Sequence, residues 1–417
     1  MATATQLQRS HLQRPIRALY IKKRLLTDNT FDSEWTRIDN FGGRDRIVRW
    51  GSFTKSINST PTDIGNYNLT AINMEWINDD GIFSIENTGA SLWSIDDLGN
   101  VYARFLSRIK IEVSYRDTDN TEKGLQNIFE GFIYKVMINN DTTLSVTLIS
   151  YLYLLQNIDI SRISITSTNV SGILNDIFSD ETIAKVMNFS TFDADNDVEI
   201  DTSLLAGSVW AVIKELCKIS NAVPVLNEDT LSIVNRKRDN NTIDFSFRGL
   251  SGRGENSNIL GISGYDDDGI DRLVNYFYDT SDTDVFSQIQ DDLRSNKAFD
   301  QSIGLDLSIV NNDTDKKALL NTLLREFSKE KPSLMMRTTF CGTFVDVVSL
   351  IDIEYHNVSC SSATWGAFKY GDNVEWGEYM GGIKIDPGSK WFITSLTNDI
   401  DNFTSSIKAE KASIELV

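Results

Sequence analysis

The chain has 417 residues, 41% of them hydrophobic, and sets 59 acidic against 40 basic side chains for a formal net charge of −19. That length exceeds what one core supports, so two or three domains are expected, and the surplus of acid argues against a sequence-independent grip on nucleic acid, which needs clustered Lys and Arg. Cys217, Cys341 and Cys360 lie far apart with no CxxC pair, which suits a reducing compartment rather than a disulfide framework or zinc site. With no apolar run long enough for a bilayer and no recognisable secretory leader, neither membrane insertion nor secretion by the usual route is expected.

Between Met1 and Thr27 there is no Asp or Glu, while Arg9, Arg14, Arg17, Lys22, Lys23 and Arg24 are basic. On so acidic a chain this arm is suited to docking on the negative surface of a neighbouring subunit, with Arg9, Arg14, Arg17, Lys22 and Lys23 as interface candidates. A solvated arm leading into the strand Ala18-Leu19-Tyr20-Ile21 is the plainer reading, and a basic, acid-poor transit peptide is a third.

From Phe31 to Tyr115 short apolar segments alternate with turn clusters such as Asn40-Phe41-Gly42-Gly43 and Asn78-Asp79-Asp80-Gly81, the spacing of hairpins in a barrel or sandwich. Ile109, Ile111, Val113 and Tyr115 share one strand face, as do Phe132, Tyr134, Val136 and Ile138, and then Leu144, Val146 and Leu148, so three strands of one sheet are predicted. After Asn157 the period lengthens to that of a helix. Val170, Ile173, Leu174, Ile177 and Phe178 make one stripe, and Val209, Val212, Ile213, Leu216 and Cys217 another. The second stripe runs into a hairpin turning at Asn227-Glu228-Asp229. A further helix is predicted from Asp315 to about Lys329, with Leu319, Leu320, Leu323, Leu324 and Phe327 inside, and beyond Pro332 the pattern is β again. The fold class expected is α+β, mainly β. A basic arm and first strand occupy residues 1–33, a first β-barrel domain 34–157, a small α/β module 158–240, and a second β-barrel domain 241–417 with a flanking helix at 315–329.

Trp-Gly-x-aromatic occurs three times, at Trp50-Gly51-Ser52-Phe53, Trp365-Gly366-Ala367-Phe368 and Trp376-Gly377-Glu378-Tyr379. Cross-strand aromatic packing explains such a repeat. The sharper alternative makes Trp365 and Trp376 an exposed tip that stacks on a sugar or enters a partner interface.

Chemistry is scarce. The two histidines, His11 and His356, are too few for a nucleophilic triad or a histidine metal site, and no GxSxG, HExxH, P-loop or spaced GxGxxG occurs. The best metal candidates are Asp193, Asp195 and Asp197, alternate acids like the opening of a calcium loop, but Val198 stands where that loop needs Gly and Leu204 where it needs its bidentate Glu. An acidic edge strand or loop is the simpler account, and no bound metal or other cofactor is expected. With 59 acids, spacing cannot single out a carboxylate pair for hydrolysis.

The order of elements resembles the hub proteins at the tip of long-tailed bacteriophage tails. The residues that carry the likeness are Ala71-Ile72-Asn73 leading into Asn78-Asp79-Asp80-Gly81-Ile82-Phe83-Ser84, similar to their N-x-D-G-x-F-S segment; Lys110-Ile111-Glu112-Val113 with Phe129-Glu130-Gly131-Phe132-Ile133, similar to a v-x-i-x-v strand and an F-x-G-x-I pair; and Thr143 to Leu155, similar to a strand running into LL. Val209-Trp210 through Leu216 with Asp229-Thr230-Leu231 resembles their helix and hairpin, and Leu350-Ile351-Asp352-Ile353-Glu354 and Trp391-Phe392-Ile393 two strands of a closing barrel. Thr230 departs from the usual hairpin Gly, and Ser150 from a frequent Asp. The likeness spans most of residues 30 to 410. It implies a non-enzymatic virion protein, assembled in the host cytoplasm and located at the tail tip. In a homotrimer, two tube-like barrels per subunit would match a sixfold tube or distal tail ring to a threefold fibre or spike. The implied partners are the distal tail or tail tube protein, the tape measure protein and the fibre or spike, with DNA passing through an acidic lumen without specific binding. A six-copy distal tail ring, a glycan- or receptor-binding module and a carboxylate-based polysaccharide hydrolase are the alternatives.

Overall fold

The computed structural model describes residues 15–27, 30–58, 60–84, 92–93, 102–115, 124–194, 196–236, 243–250, 258–267, 274–288, 302–328, 332–356, 384–385 and 388–412. The first barrel uses β1 (Pro15–Leu25), β2 (Thr36–Arg37), β3 (Ile47–Arg49), β6 (Ile72–Ile77), β7 (Tyr102–Tyr115), β8 (Gln126–Ile138) and β9 (Thr143–Ser150), while β4 (Ser52–Ile57) and β5 (Tyr67–Leu69) leave it. Its antiparallel order is β2-β1-β7-β8-β9-β6-β3. The two ends of this curled sheet meet where Arg46 N donates to Asp39 O at 2.8 Å. The alternation seen in sequence sets the core: Leu19, Ile21, Trp76, Ile109, Ile111, Leu144, Val146 and Leu148 all point inward and are buried. The segment Asn78 to Ser84 plugs one end. Asn78 accepts from Phe83 N at 2.7 Å and donates to Ser84 Oγ at 2.8 Å, so Phe83 is folded down onto Trp76 with ring centroids 5.1 Å apart. The guanidinium of buried Arg46 grips Asp80 at 2.8 and 3.0 Å, and this hydrogen bonding lowers the Asp80 pKa.

The α/β module follows with α1 (Leu152–Asn157), α2 (Val170–Phe178), α3 (Glu181–Ala184), β10 (Asn188–Asp193), α4 (Val209–Ile219), β11 (Ala222–Asn227) and β12 (Thr230–Asn235). Both helical stripes are buried, and Ser208 caps α4 by accepting from Ala211 N at 3.2 Å. The β11–β12 hairpin turns through Glu228 at φ 57°, so the left-handed position precedes Thr230 and no glycine is needed there.

The second barrel contains β13 (Phe245–Leu250), β14 (Ile259–Asp267), β18 (Pro332–Thr339), β19 (Leu350–His356), β21 (Lys390–Asp399) and β22 (Thr404–Lys411), with β20 (Lys384–Ile385) beside β19; between β14 and β18 come β15 (Tyr276–Asp279), β16 (Phe286–Gln288), β17 (Ser302–Leu305) and α5 (Asp313–Phe327). Its order is β13-β19-β21-β22-β18-β14. Arg248 and Asn258 tie its ends through bonds of 2.7 and 2.9 Å, and Phe247, Ile351, Ile353, Trp391, Ile393 and Ile407 fill it.

Two features depart from the sequence expectation. β4, from the first third of the chain, pairs with Ser395 to Asp399 of β21, and among the described strands β5 pairs only with β4. Its Phe53 still faces the first core, 5.5 Å from Phe129, so the side-chain pattern gave no hint of the exchanged backbone partner. α5 packs on β15 and β16, and its Leu319, Leu320, Leu323 and Phe327 join the core of α2 and α4 instead of the second barrel.

Candidate assembly surface

Two joints fix the parts of the molecule relative to one another. At the first, the β21–β22 turn of the second barrel docks on the first. The Asp401 carboxylate accepts from Trp50 N at 2.7 Å and Gly51 N at 2.9 Å, its carbonyl accepts from the Arg17 guanidinium at 2.8 Å, and Ile400 N donates to Gly51 O. Gly51 sits at φ 80°, where a Cβ would stand 2.5 Å from Asn73 O, which is why Trp-Gly is required at this corner. Phe340 and Ile400 of the second barrel are buried in the first barrel's core, and Phe403 stacks on Phe340 at 4.5 Å. The two barrels therefore share packed side chains as well as the β4–β21 ladder. Lys55 of β4 adds a tie, its ammonium 2.6 Å from Asp346 and 3.4 Å from Leu226 O of the module.

At the second joint, Arg108 of β7 binds Tyr151 Oη at 2.7 Å, Glu130 of β8 at 3.2 Å and Asp229 of the module hairpin at 3.2 Å, while Tyr151 donates to Glu130 at 3.0 Å. The rings of Phe31, Trp35 and Tyr151 surround the guanidinium at 5.0 to 5.9 Å. Burial raises the Glu130 pKa despite Arg108, and the nearby charge of Asp229 adds to the rise. Burial also opposes the Arg108 charge, but Tyr151, Glu130 and Asp229 outweigh it and its pKa rises. Gly131 lets β9 lie against β8 here; any side chain would overlap the Ile149 carbonyl.

The basic residues singled out in the sequence divide by strand face. Arg17 serves the barrel joint, and Lys23 lies 4.0 Å from Asp32 with its ammonium 3.6 Å from the Tyr102 ring. Lys22 faces outward over the Trp35 ring at 5.3 Å. Arg9, Arg14, Asp195, Trp365 and Trp376 fall outside the described residues. Asp193 is exposed at the end of β10, whereas Asp197 accepts from Ser171 N at 2.8 Å, Ser171 Oγ at 2.6 Å and Asn169 Nδ2 at 2.7 Å, so it caps α2. Among the described residues, no group of three His, Cys, Asp or Glu side chains is arranged to hold a metal. Cys217 and Cys341 are buried, and burial pushes both thiols up, Cys341 to about 11.

One surface was not legible in the sequence. The β7–β8 ladder runs from Val113 opposite Gln126 to Arg108 opposite Phe132, and beyond it these two strands are not paired with each other. The register of β1 shifts between Lys22 and Arg24, that of β8 shifts between Ile133 and Lys135, and Leu106 of β7 takes φ 62°. Past these irregularities Tyr102 and Ala103 pair only with β1, and Lys135 to Ile138 only with β9, among the described strands. The expected common face of Phe132, Tyr134, Val136 and Ile138 is thereby broken: Phe132 is buried against the module, whereas Tyr134 and Ile138 are exposed. A bulge leaves no simple signature in hydrophobic alternation.

No family model and no curated protein matches the sequence. Solved structures resemble the chain over nearly its whole length, two of them as follows. A tail protein from Neisseria meningitidis MC58 is 12% identical, with a TM-score of 0.53 over 95% of this chain and 97% of that one. The 43 kDa tail protein of prophage MuSo2 from Shewanella oneidensis is 8% identical, with a TM-score of 0.51 over 94% and 97%. At such identities the likeness is one of fold: this chain has the mainly β architecture of these two tail proteins.

Proposed function

We propose that the protein is a structural, non-enzymatic component of a phage-type tail, and specifically a trimeric hub at the tail tip. The observation that carries this reading is the joint at Asp401. Two β-barrels on one polypeptide, the first antiparallel and the second antiparallel except for its parallel β13–β19 pair, are held side by side by β4, by Asp401 and by the shared Phe340–Ile400 plug. Each subunit would contribute two rigidly paired barrels, so three copies would present six around an axis and join a sixfold tube or distal tail ring to a threefold fibre or spike. The lumen would pass the tape measure protein and then DNA, whose phosphates the chain's net charge of −19 would repel rather than bind. The fold shared with two tail proteins supports the tail assignment, and a virion location after assembly in the host cytoplasm follows from it. Light scattering on the purified full-length chain is the test. A three-copy particle is expected; a six-copy ring would transfer the protein to the distal tail reading, and a particle whose barrels line no channel by electron microscopy would remove the tail role.

A further inference from the structure

We propose that the outer face of the three-stranded sheet β16-β15-β17 is a carbohydrate-stacking site, which takes the pyranose rings of an uncharged oligosaccharide. The inference goes beyond the hub reading and does not depend on the number of copies.

Register builds the face. Tyr276 of β15 stands between Gln288 of β16 and Ser302 of β17, and Tyr278 stands between Phe286 and Gly304. Directly paired residues point to the same side of a sheet, so these six share one face. The rings form a strip with Tyr276 in the middle: its centroid lies 5.6 Å from that of Tyr278 and 5.5 Å from that of Phe286, and the planes differ by 30° and 33°. A Cβ on Gly304 would stand 2.8 Å from Tyr278 Cζ, so the missing side chain lets the phenol lean across β17. Phe286 is 47% exposed, the two tyrosines are half-buried, and Gln288 and Ser302 are exposed. The reverse side of the sheet holds this strip rigid. Phe277 and Val285 are buried in the core that α5 joins, with the Phe277 ring 6.3 Å from Phe327, and Ser287 Oγ donates to Asn321 Oδ1 of α5. The Asp279 carboxylate, next after Tyr278, accepts from Lys316 Nζ at 2.8 Å, Ser281 N at 2.9 Å and Leu307 N at 3.1 Å, which fixes the end of β15. A platform braced from behind loses little entropy when a ligand settles on it.

Chemistry selects the occupant. None of the six residues carries a formal charge, on a chain whose net charge is −19. The negative faces of the aromatic rings attract the weakly positive C–H groups on the flat side of a pyranose. On either side of the central ring, the Gln288 amide and the Ser302 hydroxyl each donate and accept, which is the set that sugar hydroxyls need. Asp282 and Asp284 are exposed in the turn between β15 and β16 and would repel an acidic polysaccharide. Size argues against a protein partner. A stable protein interface takes about 20–30 residues a side, whereas this face offers six, enough for a few sugar rings.

The experiment titrates the full chain with neutral hexasaccharides of glucose, galactose, mannose and N-acetylglucosamine, read by saturation transfer from the protein's aromatic protons, with hexagalacturonate as the acidic control. At least one neutral hexasaccharide is expected to bind, and the acidic one is not. Tyr276→Ala should weaken that binding at least tenfold, and Gln288→Ala and Ser302→Ala by about fivefold each, the worth of one hydrogen bond. Thermal unfolding and light scattering keep folding and copy number in view. Phe286→Trp preserves an aromatic face, so it should retain binding and add a sugar-dependent change in indole emission that the wild type lacks. If all four neutral hexasaccharides fail to bind, or if the three alanine variants bind as well as the wild type, the inference falls while the hub reading stands. Equal binding of hexagalacturonate would overturn the uncharged class of ligand. Loss of the multi-copy particle in Phe286→Ala, with no sugar bound by the wild type, would make this face a contact between copies instead.

Discussion

The two joints of the first barrel are built from opposite materials. Toward the second barrel, a carboxylate is spent on peptide N–H groups, and the weight falls on buried rings and aliphatic side chains: Asp401 on Trp50 and Gly51, with Phe340 and Ile400 seated in the neighbouring core. Toward the module, a buried guanidinium is shared by two carboxylates and a phenol. The first kind of joint fixes geometry whatever the charge state of its surroundings, and suits two barrels that must keep one spacing. Buried ion clusters stabilise less than their short distances suggest, because desolvation offsets the attraction, yet they punish the loss of one member severely. The module is thus held by a joint that tolerates few substitutions and responds to protons.

The sharpest way to break the contrast is Arg108→Met. It keeps the volume but strands Glu130 and Asp229 beside each other, and should cost about 3–5 kcal/mol in urea unfolding. A loss below about 1 kcal/mol would mean that the cluster does not hold the module. Asp401→Ala removes the acceptor of two N–H groups while leaving the apolar plug, so about 2 kcal/mol is expected, with the barrels still docked. Separation of the barrels, read as faster proteolysis between them, would show that Asp401 rather than the plug fixes the spacing.

The difference between the joints also explains what could be read in advance. Most strand faces, that of β8 beyond Ile133 excepted, both helical stripes and the hairpin at Asn227 to Asp229 follow from periodicity, since one-sided burial writes itself into every second or every third to fourth residue. Partner choice does not. Phe53 announces an inward-facing strand but not that its backbone joins Asn398 of β21, 345 residues along the chain, and Leu319 to Phe327 announce an amphipathic helix but not which core receives it. For the basic arm, docking on a neighbour, a solvated arm and a transit peptide were all open readings; among its described interface candidates, strand alternation sends Arg17 and Lys23 to partners within the chain and Lys22 to the opposite face. The end of the β7–β8 ladder near Leu106 was invisible, because a positive φ in leucine is imposed by tertiary packing.

A smaller effect sharpens the ionic side. The folded-state pKa of Glu130 lies above its unfolded value, chiefly through burial. Its protonated form is therefore favoured by folding, the associated stability is complete below the ordinary carboxylate range, and it is lost as pH rises through the raised value. Glu130→Gln cannot ionise. The stability of the wild type relative to this variant should accordingly be greater at pH 4 than at pH 7, measured by denaturant titration at both. The lowered carboxylates Asp80, Asp176 and Asp279 have the opposite sign and weaken the whole protein in acid, but they are common to both chains and cancel in the difference. An equal margin at the two pH values would mean that folding leaves the Glu130 pKa unchanged.

The smallest test asks whether the use of carboxylates on backbone N–H groups extends beyond the barrel joint. Asp197 does for α2 what Asp401 does for the Trp50 corner, accepting from Ser171 N and Ser171 Oγ at a helix start where Asn169 makes no side-chain cap. Asp193 is exposed and makes no such contact among the described residues. Asp197→Ala should therefore cost about 1 kcal/mol, the usual worth of a cap, and Asp193→Ala close to nothing. Calcium or a chelator should leave the melting temperature of either variant and of the wild type in place. Equal losses from both substitutions, together with a calcium-dependent rise in the wild type alone, would instead make the Asp193–Asp197 segment an ion-binding loop, with the cap only its consequence.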